Sequence, residues 1–214
     1  MINTKTLTPD AISQYSWCWV REDTAVKPKE YFDFAQMDRS DGTSGRHLVN
    51  SVSNSKRALH LRMENLYNGF GGMVVAGKPH NFPELVGFLR KCGIVSPRIL
   101  DRINKLRNAI EHDYYVPTID EVDTFLDITE LFLGATDILI FRQPDTIDFA
   151  TDAVRDYTGE LALAEMSFEW KVGQIKLTFI DEHHRGPSKH IVQRMDSSAP
   201  EYFDCVRFAI KHNE

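Results

Sequence analysis

Apolar residues recur at steps of three and four between Arg46 and Tyr67. Leu48, Val52, Ser55, Leu59, Met63 and Leu66 make one stripe, which predicts a long amphipathic helix. Gly69, Gly71 and Gly72 end it. Upstream, Pro28 followed by Glu30, Tyr31, Phe32, Phe34, Ala35 and Met37 predicts a short helix, and Ser40 to Gly45 reads as a loop. Downstream, Asn81-Phe82-Pro83 starts a short helix with Leu85, Phe88 and Leu89 inward, stopped at Gly93. Ser96 is an N-cap with Pro97 at the first helical position. Ile99, Leu100, Ile103, Leu106 and Ile110 then form a buried face, and Pro117 ends that helix near Tyr115. A capping box, Thr118-Ile119-Asp120-Glu121, opens the next helix. Its face of Val122, Phe125, Leu126, Thr129, Phe132, Leu133 and Thr136 runs to about Arg142, with Pro144 just beyond.

After Thr151 the pattern changes. Leu163 to Trp170 and Gln174 to Ile180 are β-branched and aromatic runs split by Lys171-Val172-Gly173, which predicts a hairpin. His190 to Met195 is a candidate third strand. Ser198-Ala199-Pro200-Glu201 reads as a second capping box, opening a last helix with Phe203, Val206 and Ile210 inward. Residues 1–25 read as an irregular lead-in in which Tyr15, Trp17 and Trp19 alternate as in a short strand. The expectation is a mostly α chain: an irregular extension over 1–25, an antiparallel bundle of four to five helices over 26–143, and a small α+β appendage over 151–214, packed on the bundle's flank.

Composition narrows the class. The chain has 214 residues, of which 42% are hydrophobic and 26% charged, enough apolar material for a real core. It has no apolar run of membrane-spanning length, and the N-terminus lacks the apolar core of a secretory signal. The three cysteines, Cys18, Cys92 and Cys205, are scattered, which argues against a disulfide framework and a CxxC zinc site. A reducing cytoplasm is therefore expected. Net charge is -6, which alone disfavours nucleic acid, but the charge is unevenly spread. Arg46 to His112 holds 11 Lys/Arg against 4 Asp/Glu, and Asp113 to Glu160 holds 2 against 12. The basic block can attract phosphate backbones, or the two blocks can pair within the fold or across a dimer.

The most specific cluster is Arg107-Asn108-Ala109-Ile110-Glu111-His112-Asp113-Tyr114, an R-x4-H-x-Y pattern near the predicted end of a helix. His112 titrates near neutral pH and can move protons. Arg107 is permanently charged and can fork onto phosphate oxygens. Residues five apart on an ideal helix differ by about 140°, so the two do not sit side by side on one helix. A bent helix end, or a two-fold dimer, would gather them at one phosphate. Alternatively, Arg107 and Glu111 form an ordinary i,i+4 ion pair, and His112 caps the helix C-terminus.

Other clusters carry less. His183, His184 and His190 fit no standard zinc spacing, so no metal and no cofactor is expected. Gly69-Phe70-Gly71-Gly72 follows a helix and lacks Gly-Lys-Ser/Thr, so it is not a phosphate loop. Asp120, Asp123, Asp127, Glu130 and Asp137 make one acidic row, expected on a solvated face or opposite Arg57 and Arg62.

The Arg107–Tyr114 segment resembles the signature of the HEPN superfamily: an Arg, a polar residue filled here by Asn108, then His112 near the end of a bundle helix. The H-x-Y extension is similar to the toxins that pair with small nucleotidyltransferase antitoxins. The resemblance covers roughly residues 45–142. It implies a HEPN-like bundle and a metal-independent endoribonuclease, in a toxin or defence setting, whose site is completed across a homodimer cleft. Arg107, Asn108 and His112 would be catalytic, Glu111 and Tyr114 would line the site, and Arg57, Arg102 and Lys105 would contact RNA. Tyr114 is the position at which a separate antitoxin would attach nucleotides. The alternative expectation is a non-catalytic module that binds RNA, a nucleotide or a protein partner.

Overall fold

In the computed structural model, residues 2–79, 81–94, 115–150, 153–181 and 189–213 are described. Two 3-10 turns, Thr4–Thr6 and Pro9–Ala11, lead into strand β1 (Ile12–Cys18). Helices α1 (Pro28–Asp41), α2 (Gly45–Gly69), α3 (Gly72–Val75), α4 (Phe82–Lys91) and α5 (Ile119–Phe141) follow. Strands β2 (Gln143–Phe149), β3 (Leu161–Glu169), β4 (Gln174–Asp181) and β5 (Lys189–Asp196) come next, and α6 (Tyr202–Lys211) closes the chain.

The helical layer forms as the periodicity predicts. Every member of the α2 stripe is buried, and its polar member Ser55 donates to Thr129 Oγ1 of α5 at 2.9 Å. Asn81 caps α4 by accepting from the Glu84 amide at 3.0 Å. At α5 both halves of the capping box form: Thr118 Oγ1 accepts from the Glu121 amide at 3.3 Å, and Glu121 accepts from the Thr118 amide at 2.8 Å. α1 runs to 14 residues, with Phe32 and Ala35 inward and Phe34 and Met37 exposed. The helix predicted over Ser96–Tyr115 lies outside the described residues.

The strands overturn the mostly α expectation. β1 to β5 make one five-stranded antiparallel sheet in the order β1-β2-β3-β4-β5, so the fold is α+β rather than a helical bundle with a small appendage. The hairpin and third strand appear where the pattern puts them, but two further strands join them. β1 comes from the lead-in, where the alternation of Tyr15 and Trp17 already reads as a short strand, and it pairs with β2, Trp17 against Pro144 and Tyr15 against Ile147. β2 directly follows α5. Its sequence, Gln143-Pro144-Asp145-Thr146-Ile147-Asp148-Phe149, carries a proline and two aspartates that lower strand propensity. Tertiary pairing overrides that propensity, because Ile147 and Phe149 alternate into the core. Pro144 sits where the β1–β2 register is irregular, and its carbonyl accepts from Trp170 Nε1 at 2.7 Å.

The second capping box does not form. Asp196 takes the Ser198 amide at 2.9 Å, and α6 begins only at Tyr202. The carboxylate of Glu201 accepts from the Tyr157 hydroxyl at 3.1 Å instead. A stronger acceptor two residues upstream has displaced the capping geometry.

One apolar core joins the helical layer to one face of the sheet. Leu59, Met63 and Leu66 of α2, Phe88 of α4, Ile147, Met166 and Phe179 of the sheet, and Val206 of α6 all belong to it. The opposite sheet face is polar. There Glu165 accepts from Ser167 Oγ at 2.8 Å and Lys176 Nζ at 3.1 Å, and lies 3.4 Å from Thr178 Oγ1. The layers meet at tight places. Gly71, at φ 78°, lies where an added Cβ would stand 2.8 Å from the Trp170 carbonyl oxygen, so backbone conformation and space both require glycine.

Among the described residues, Arg62 is the charge buried inside the helical layer, with its side chain 5% exposed. Its Nη1 donates to Asp137 Oδ1 at 2.7 Å, Thr136 Oγ1 at 3.2 Å and the Leu133 carbonyl at 3.3 Å. Glu22, before α1, stands 3.8 Å away and also accepts from Asn65 at 2.9 Å. Replacing Arg62 by Met leaves Glu22 without its cation and is expected to cost about 3 kcal/mol, the low end for breaking a buried pair because Asp137 keeps water. Urea unfolding checks this: the midpoint should fall at unchanged slope.

The polar sheet face makes a pH prediction. Hydrogen bonding from Ser167, then from Lys176, holds the Glu165 carboxyl below its ordinary range. A depressed carboxylate contributes stability above its unfolded pKa, about 4.3, and loses it as pH falls through the folded value. Glu165→Gln should therefore flatten the loss of stability on acidification below about pH 5, read from thermal midpoints against pH.

Candidate functional site

Arg102, Lys105, Arg107, Asn108, Glu111, His112 and Tyr114 lie outside the described residues, as do His183 and His184. Arg57 is the predicted site residue that the structure describes. It projects from α2 into a groove between α1 and α2, with Tyr31, Lys56, His60, Leu61 and Glu64 around it and a volume of about 500 Å³. The groove exists because Pro28 starts α1 and the residues before it, Thr24 to Val26, form the far wall.

The chemistry of the groove is cationic and aromatic. The Arg57 guanidinium carbon lies 6.0 Å from the centroid of the Tyr31 ring, and Nη1 donates to Asn54 Oδ1 at 2.9 Å. Arg57 thus stays exposed while its plane is steadied on an aromatic face. His60 stands one turn on, with Nε2 3.3 Å from Glu64 Oε1 and its ring 6.0 Å from that of Phe82. Such a surface can hold a phosphate beside a stacked base. Sequence reasoning found Arg57 through the basic block but missed Tyr31, because α1 and α2 pair only in the tertiary structure. The spacing of Lys56, Arg57 and His60 was the one local signal.

The two charge blocks pair with each other in part. Asp137 of the acidic row meets Arg62, as one alternative expected, whereas Arg57 lies on Tyr31. Asp123 pairs instead with Arg39 of α1, which forks onto it at 2.6 and 3.0 Å. The hydrogen bond from Arg39 holds the Asp123 carboxyl below its usual range.

A larger cleft of about 930 Å³ opens at the junction of the helical layer and the sheet. Trp19, Arg21 and Asp23 form one wall, Asn65 and Asn68 of α2 another, and Glu169, Trp170 and Lys171 the third. Gln143 closes its floor, donating to the Gly69 carbonyl at 2.5 Å and accepting from Cys18 Sγ at 3.3 Å. Trp19 is 80% exposed, whereas Trp170 is held edge-on to Phe70 and stacked on Phe168, both at 5.0 Å. The cleft has a polar rim of Arg21, Asp23 and Lys171 and no unpartnered buried polar group among its described lining residues. Among the described residues, no three His, Cys, Asp or Glu side chains come close enough to hold a metal ion.

The thiols do not add a nucleophile. Burial pushes the Cys92 and Cys205 thiols up to about 12, and burial also raises Cys18. Thiolate is the reactive form, so native protein at pH 8 should leave Cys92 and Cys205 unlabelled by a thiol reagent until it unfolds. Mass mapping of the modified cysteines checks this, and rapid modification of either in folded protein would contradict the buried positions.

Compared with protein-family models, with curated proteins and with solved structures, the chain finds no match.

Proposed function

We propose that this chain is a metal-independent endoribonuclease of the cytoplasm, with Arg107, Asn108 and His112 as its reacting groups. The observation that carries the reading is the R-x4-H-x-Y spacing, in the type and order of residues that the HEPN resemblance implies. The ribose 2′-OH attacks the adjacent phosphorus while a base removes its proton. The bond to the 5′-oxygen breaks, and that oxygen takes a proton in turn. The product is a 2′,3′-cyclic phosphate, with no metal and no added water required. His112 moves protons, Arg107 neutralises the phosphorane, and Asn108 orients one of them. The Arg57–Tyr31 platform supports RNA as the substrate class, since it offers a fixed cation beside a ring. Acting as a homodimer would duplicate each group in one cleft. A separate nucleotidyltransferase-type antitoxin would then silence the site through Tyr114.

The same platform also favours a second reading, a module that binds RNA without cleaving it. The two separate in one experiment. Total RNA is incubated with wild-type protein, His112→Ala and Arg57→Ala, with and without EDTA. Cleavage is expected in wild type, unaffected by EDTA, with cyclic-phosphate ends. His112→Ala should abolish cleavage and retain RNA binding. Arg57→Ala should weaken binding and lower its salt slope by about one. Folded wild-type protein that binds RNA and cuts nothing would replace the first reading with the second.

A further inference from the structure

α5 buries one face against α2 and leaves the opposite face open, and that open face is not uniformly polar. Leu131 is 71% exposed, Phe141 66% and Ile138 45%. Gly134 and Ala135 are exposed between them, and a Cβ at Gly134 would meet nothing within 4 Å. These positions recur at steps of three and four, so they align as one ridge broken by a notch of two small residues. Toward the N-terminus the same ridge continues through Asp127 and Asp120, both exposed. At its C-terminal end stands Arg142, also exposed, with its guanidinium 5.1 Å from the Trp17 ring. Trp17, 40% exposed, carries the apolar surface beyond the end of the helix.

Scattered exposed apolar residues are ordinary, but an aligned row with a charge at each end is a pattern that a second helix can read. The charges say which helix. A two-fold antiparallel crossing centred between Gly134 and Ala135 pairs positions equidistant from that point. Ile138 then meets the partner's Leu131. Arg142 meets the partner's Asp127. Each contact occurs twice, as two-fold symmetry demands, and the notch allows the two backbones to approach. A parallel arrangement would instead lay one acidic half on the other.

We infer that the outer face of α5 is a homodimer interface, in which two copies of this chain cross antiparallel at Gly134-Ala135 and exchange Arg142–Asp127 ion pairs. The interface stands on α5 and Trp17 alone and does not rest on RNA cleavage.

Light scattering of the full chain at micromolar concentration tests it. Wild type should give twice the 24.6 kDa chain mass. Leu131→Glu should give the monomer, with its circular dichroism unchanged because that side chain is 71% exposed in the single chain, and with melting that no longer depends on protein concentration. Arg142→Asp should weaken dimerisation at least tenfold, and adding Asp127→Arg in the same chain should restore it. That rescue is a readout that a folding defect would not produce. A monomeric wild type overturns the inference. So does a dimer indifferent to Leu131→Glu, or a charge swap that fails to rescue Arg142→Asp. RNA cleavage measured on the wild-type protein keeps the two proposals apart, since a wild-type dimer that does not cleave leaves the interface standing.

Discussion

Arg62 holds a charge inside the helical layer, and the arrangement of α2, α5 and the segment before α1 depends on how that charge is satisfied. A guanidinium with 5% of its side chain exposed needs acceptors in several directions. Asp137 and Thr136 of α5 and the Leu133 carbonyl accept on one side, and on the other Glu22 offers only its charge, 3.8 Å from an Nε that makes no hydrogen bond. Thr136 turns its own proton to the Phe132 carbonyl at 2.7 Å and so presents its oxygen as an acceptor, as Thr129 turns its own to Phe125 two turns earlier. α2 and α5 are therefore keyed to each other by a short polar seam of Ser55, Thr129, Arg62 and Thr136. A purely apolar contact between two such helices would tolerate sliding by a turn; this one fixes the register.

That register has consequences for the sheet. α5 ends at Phe141 and β2 begins at Gln143, with only Arg142 between them. The Val20 amide donates to the Ile140 carbonyl at 2.9 Å, and Asn213 Nδ2 donates to the Arg142 carbonyl at 2.5 Å. The residues after β1 and the end of the chain are thus fastened to the same helix end that launches β2. Gln143 repeats the device toward α2 through the Gly69 carbonyl. The cleft bounded by Trp19, Asn68 and Trp170 is the space that this junction leaves between the helical layer and the β3–β4 turn.

The groove carrying Arg57 and the ridge on α5 show two different uses of exposed residues on packed helices. In the groove a cation is steadied by an aromatic ring from a neighbouring helix, which suits an anionic, partly planar ligand. On the ridge, apolar side chains flank small ones and opposite charges close the ends, which suits a surface of the same shape. Neither depends on a perturbed titration; both are consequences of which face each helix turns away from the core.

The helical periodicity was legible residue by residue, because a 3.6-residue repeat and a capping box are local properties. The α2 stripe, the Asn81 cap and the Thr118–Glu121 box all form where the pattern puts them, and the β3–β4 hairpin does too, since its strands are adjacent in sequence. The R-x4-H-x-Y motif is likewise a fact of the sequence. What the sequence could not determine was pairing at a distance. β1 and β2 are weak strands, one in an aromatic lead-in and one spoiled by Pro144 and two aspartates. They become strands because the ladder and the core face supply what propensity lacks. The meeting of Arg57 with Tyr31 and of Arg39 with Asp123, and the open face of α5, belong to the same class. Each depends on how whole helices dock, and only the tertiary structure sets that, because burial is shared among elements far apart in the chain.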